Sequence, residues 1–142
     1  MMKFLLFLFT LFPVALFAQL SEGEEMKQFF WNSNIGNIIE MDKDSVLFQT
    51  QFPLEVDKVG KKEEWTKDQF KKKLSVLFDS AVREQLSKDT YSSIEAWTRE
   101  DETGPTYMIV VYPGDEEFNV MVLSFKQFDG DWKLFQIDLH LE

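Results

Sequence analysis

The residues best suited to acid–base chemistry in this 142-residue chain meet near its end, where Asp138 and His140 stand two positions apart. In a strand that spacing puts both side chains on one face, roughly 6.5 Å apart along it. A carboxylate and an imidazole so placed could relay a proton through a water, since His titrates nearest neutrality. The neighbours argue for something plainer. Phe135, Ile137, Leu139 and Leu141 alternate with them and predict the core side, leaving Trp132, Leu134, Gln136, Asp138 and His140 on the other. A half-wet strand with its polar residues outside accounts for this pattern, so neither Asp138 nor His140 is assigned a catalytic role. No Ser can be matched to the single His as a nucleophile, and no His and carboxylate set has metal-ligand spacing. The sequence therefore assigns no catalytic, cofactor-binding or metal-binding residue, and leaves the ligand-binding residues unknown.

Other charged groups are read the same way. Lys67, Lys71, Lys72 and Lys73 invite an anion site, but they lie largely off the apolar stripe of their helix and read as its solvated face. Glu100, Asp101 and Glu102 should share one rim of a meandering sheet with Asp129 and Asp131, while Asp115, Glu116 and Glu117 should lie on the other. Oxygen-rich rims can hold Ca²⁺. Asp42 and Asp44 lack the Gly and Glu of an EF-hand loop, however, and solvated turns are expected. There is no Cys at all, which removes thiolate nucleophiles, thiolate metal sites and disulfides. The net charge of −10 repels phosphate backbones and anionic lipid, so no nucleic-acid or membrane-surface partner is expected.

The N-terminus predicts a compartment. Lys3 is followed by an apolar run from Phe4 to Ala18, broken only by Thr10 and Pro13, and then by Gln19. A basic start, a short apolar core and a small residue before a polar one predict a secretory signal peptide over residues 1–18, cut after Ala18. Fifteen residues between Lys3 and Gln19 fall short of the ~20 that span a bilayer as a helix. Residues 19–142 would then be a single domain, periplasmic or secreted.

The elements that must position any site emerge from periodicity. Ser21 with Glu24 has the spacing of a capping box, opening a helix to about Met41 that should bend or fray near Gly36. Asp44 could cap a short helix over residues 45–50. Phe52, Pro53 and Leu54 start a strand, and residues 57–61 turn into a return strand ending at Trp65. Thr66 with Gln69 is a second capping box. Phe70, Leu74, Leu77, Phe78, Ala81, Val82 and Leu86 then form one apolar stripe, predicting a long helix. Beyond Asp89 the period becomes two, predicting strands over 91–99, 106–112, 118–128 and 132–141. Short connections make these an antiparallel meander, and Asp129 with Gly130 is a two-residue hairpin turn.

Helix, short helix, hairpin, long helix and four meandering strands, with Asp129, Gly130, Asp131, Trp132, Lys133 and Leu134 in the last hairpin, resembles the nuclear transport factor 2-like superfamily. The chain looks most like its small exported bacterial members. The resemblance implies an α+β fold, a cone of curved, mostly antiparallel sheet wrapped around helices, with a pocket inside. It also implies what an enzyme of the ketosteroid isomerase type would need: a carboxylate base, and a Tyr beside a protonated Asp in an apolar pocket. Asp138 with Tyr91, Tyr107 or Tyr112 could be stretched to fit, but no spacing selects one pairing. Three functions stay open. The first is a non-catalytic module binding a small apolar ligand in the interior pocket, or a protein on the sheet face. The second is a lyase or isomerase, and the third an interaction protein forming a homodimer through its sheet.

Overall fold

The computed structural model describes residues 21–102, 104–113 and 117–141, so the expected leader lies outside the described part. Ser21 opens the first helix, α1 (Glu22–Phe30), its hydroxyl accepting from the Glu24 N–H at 3.2 Å. The helix passes through one π-helical turn, Trp31–Ile35, into α2 (Gly36–Glu40). The irregularity falls in the stretch of weak helix formers expected to bend, Gly36 with Asn32, Asn34 and Asn37, and takes in Asn32 and Asn34, while Gly36 itself has ordinary helical geometry. A π turn inserts an extra residue and rotates the helix beyond it. Here Asn34 comes to lie in the core, where its Nδ2 donates to the Trp132 carbonyl at 2.9 Å.

The short α3 (Lys43–Phe48) is capped by Asp42, not by Asp44. Asp42 accepts from both the backbone N–H and the hydroxyl of Ser45, which a cap two residues later could not do. Strands β1 (Thr50–Lys58) and β2 (Lys61–Trp65) form a hairpin through Val59 and Gly60, both at positive φ. The Thr66–Gln69 capping box is present and starts α4 (Lys67–Leu77).

The long helix expected up to Leu86 is in fact two. α4 ends at Phe78, and Asp79 caps a new helix, α5 (Ser80–Lys88), its carboxylate accepting from the Val82 N–H at 3.0 Å. Breaking there lets Phe78 enter the core edge-on to Phe70, at 6.4 Å between ring centroids. Ala81 is left exposed, against expectation. The strand expected over 91–99 shrinks to β3 (Glu95–Trp97), because Thr90 caps a 3₁₀ turn over Tyr91–Ser93.

β4 (Thr106–Val111), β5 (Val120–Phe128) and β6 (Asp131–His140) complete a six-stranded sheet of order β2-β1-β6-β5-β4-β3. Every neighbouring pair is antiparallel except β1 with β6. Asp129 and Gly130 both take positive φ, as the hairpin turn requires. The loop through Asp101 and Glu102 lies against Gln127 and Phe128, on the same rim as that turn. The expected α+β architecture, helices packed on a curved and mostly antiparallel sheet, is what the chain forms.

The sheet buries one face against the helices in a single core. On β6 the inward positions are not those that strict alternation predicts. Ser124 pairs with Gln136 and the adjacent Phe125 with Leu134, so Phe135 is an extra residue on β6. This bulge resets the phase, as an inserted residue must in a period-two element. Trp132 and Leu134 before it, and Ile137 and Leu139 after it, all point into the core, while Phe135 is only half-buried and Leu141 is exposed.

Candidate functional site

The space between helices and sheet, where a cone would hold its ligand, is filled. Phe30 lies edge-on to Tyr107 and Phe125, at 5.2 and 4.9 Å between centroids, and Tyr107 stacks on Trp132 at 4.0 Å. The cavity in that layer, lined by Asn34, Ile38, Val46, Thr50, Phe125 and Leu134 among others, measures about 10 Å³. That is about the room one water needs. The expected interior pocket is therefore closed by large aromatic side chains.

A much larger concavity lies on the opposite face of the sheet. Its volume is about 780 Å³, and side chains from all six strands line it. Pairing register explains how residues far apart in sequence meet there. Glu64 of β2 faces Glu55 of β1, which neighbours Gln136 of β6, then Ser124 of β5 and Met108 of β4. One step along, Asp138 neighbours Asp57, which faces Lys62. The far side carries Trp97, Arg99, Lys126 and Phe135.

Carboxylates dominate the β1–β2–β6 side. Asp138 is half-buried and accepts from Gln136 Nε2 at 3.0 and 3.2 Å. Asp57 is partly spoken for by the Gly60 N–H at 2.9 Å. Glu55 and Glu64 are directly opposed and enter no ion pair or hydrogen bond among the described residues. Like charges so placed destabilise a sheet. The cations across the groove are occupied elsewhere: Lys126 Nζ sits 4.6 Å from the Phe135 ring centroid, and the Arg99 guanidinium 5.1 Å from that of Trp97.

Two hydroxyls complete the floor. Thr106 and Ser124 are 4% and 5% exposed, and both occupy outward positions on their strands. Neither hydroxyl makes a hydrogen bond among the described residues, yet none of the buried side-chain oxygens is sealed from solvent without a partner. Both oxygens therefore open onto the groove that they line.

The residues singled out in the sequence are dispersed. Asp138 lines the groove, whereas His140 stands exposed at the strand end outside it. Tyr107 faces the core, on the other side of the sheet from Asp138; Tyr91 packs at the core margin, and Tyr112 is exposed. The Asp–Tyr constellation of an isomerase is thus not assembled around Asp138. Lys71 and Lys72 are exposed with Lys43 on a shallow surface. Among the described residues no group of three His, Cys, Asp or Glu side chains is placed to hold a metal ion, and no helix is long and apolar enough to cross a membrane.

Burial pushes the Tyr107 phenol above its ordinary value of 10.0. A raised folded-state pKa means that the neutral phenol is favoured in the fold. Its contribution is fully present below about 10 and is lost as pH rises through the folded-state value. Alkaline titration followed by denaturant midpoint should show stability falling above about pH 10, with a shallower fall in Tyr107→Phe. An equal slope in both proteins would place the titration elsewhere.

Sequence reasoning missed Glu55, Glu64, Thr106 and Ser124. A signal existed: Glu55 and Asp57, Lys62 and Glu64, Thr106 and Met108, and Ser124 and Lys126 are each spaced by two on predicted strands. They converge only once strand order is known.

Comparison with known proteins adds fold likenesses. No protein-family model and no curated protein matches the chain. Among solved structures, a five-substitution variant of Rd1NTF2_05 is 10% identical with a TM-score of 0.49, covering 82% of this chain and 98% of its own. A de novo designed protein with a curved β-sheet is 14% identical with a TM-score of 0.43, covering 83% and 98%. A candidate ketosteroid isomerase from Shewanella frigidimarina is 15% identical with a TM-score of 0.38, covering 82% and 91%. These likenesses carry no statement about activity.

Proposed function

We propose that this chain is an exported, non-catalytic binding module that receives a small polar ligand in the groove on the open face of its sheet. The observation that carries this reading is the exchange of cavities. The core face is packed solid, while the opposite face holds about 780 Å³ floored by hydroxyls that open into it. Ligand sites usually measure about 300–1,000 Å³ and combine apolar walls with a few placed polar groups. Trp97, Met108 and Phe135 supply the apolar part here.

Screening polar fragments by nitrogen–proton correlation spectra tests the groove. Perturbations are expected at Glu55, Ser124 and Gln136, and Met108→Trp should abolish them while circular dichroism stays unchanged. Perturbations centred on Phe30 and Tyr107 instead would mean that the core opens, and would overturn the reading. Export rests on the pattern over residues 1–18. Mass spectrometry of the secreted or periplasmic protein should find a start at or near Gln19, and an intact Met1 in the cytosol would count against it.

A further inference from the structure

We infer that the ligand of this groove is an organic cation, a small primary amine or guanidinium, seated against the carboxylate wall of β1, β2 and β6. The inference rests on the groove being the binding site and adds the chemical class of what binds there.

Three observations converge on it. First, Glu55 and Glu64 are opposed across the β1–β2 ladder, with Asp138 one strand over, and neither Glu is paired with a cation among the described residues. Of the groove's cations, Lys126 and Arg99 are held over aromatic rings and Lys62 faces Asp57 on the neighbouring pair, so none forms an ion pair with Glu55 or Glu64 among the described residues. Opposed like charges weaken the free sheet, and an incoming positive group removes that repulsion. Stability given up at a site is the usual cost of function.

Second, the near-buried Ser124 and Thr106 hydroxyls offer acceptor lone pairs to the groove. Ser124 stands two strands from Glu55, across Gln136, roughly 10 Å away at the usual strand spacing, so a cation held at the carboxylates by one end can set a second N–H donor on the Ser124 hydroxyl from its other end. Third, the donor set does not suit a bare metal ion: no three of the described acidic side chains converge tightly enough. The groove is also far larger than an ion and fits a molecule with a carbon skeleton against Met108 and Phe135.

Calorimetric titration with agmatine, which has a guanidinium at one end, a primary amine at the other and no carboxylate, tests the inference. Glutarate serves as the anionic counterpart. Agmatine is expected to bind and glutarate not to bind. The double variant Glu55→Gln with Glu64→Gln should weaken agmatine by roughly tenfold or more, the scale of one lost charge-assisted contact. The same variant should melt at an equal or higher temperature than the parent, because the repulsion is gone, and this separates lost binding from lost folding. Raised salt should weaken agmatine further. Glutarate binding in place of agmatine would overturn the cation while leaving the groove as a binding site. Agmatine that does not bind, or that binds the double variant equally well, would overturn the inference outright.

Discussion

Phe30→Ala is expected to lower stability by about 3–5 kcal/mol in chemical denaturation, the range for a large aromatic removed from a packed core. Phe30 is fully buried at the centre of an aromatic cluster, with Tyr107, Phe125 and Trp132 within 5.4 Å between ring centroids. Edge-to-face pairs add to area burial, and three rings around one side chain leave little chance of collapse into the void. Phe29 supplies the control. It is adjacent in sequence but 71% exposed, and Phe29→Ala should change stability by no more than about 0.5 kcal/mol. Similar losses in the two variants would mean that α1 is rotated about its axis. A void left by Phe30→Ala would also be apolar, so any ligand it gained would be a small hydrocarbon rather than a polar molecule.

Leu77→Ala is the second large effect, about 2–5 kcal/mol. Leu77 is 6% exposed at the last turn of α4, just before the break at Phe78. Removing it opens space where α4 gives way to the Asp79 cap, so the loss should appear both in the denaturant midpoint and in faster amide exchange over α5. Lys72→Ala, on the exposed side of the same helix, should change little. Equal losses would show that the buried stripe of α4 has been placed on the wrong side.

Features written in local chemistry are legible in the sequence. The Asp129–Gly130 turn needs only two residues that tolerate positive φ, and the Thr66–Gln69 box needs only two side chains and the first helical turn. The stripe from Phe70 to Leu86 is legible as apolar positions, yet its spacing describes one helix where the chain forms two. Every member except Ala81 still faces the core, so spacing alone cannot reveal that Asp79 interrupts it. Features written in pairing are not legible. The extra residue at Phe135 exists only relative to Ser124 and Phe125 on β5, and it reverses the inward and outward faces of Trp132 and Leu134. The groove is hidden for the same reason. Glu55, Glu64 and Ser124 are ordinary strand residues singly, and only the order of the strands makes them neighbours.

The position of β6 bears on how the molecule is made. It is the final strand in the chain but lies third in the sheet, the sole link between the β2–β1 hairpin and the β5–β4–β3 meander. Until β6 pairs between them, the β2–β1 hairpin and the β5–β4–β3 meander are therefore two half-sheets, each with an open edge. Joining β1 to β6 brings together segments from distant parts of the chain, and such non-local pairing is slow and exposes edges to foreign strands meanwhile.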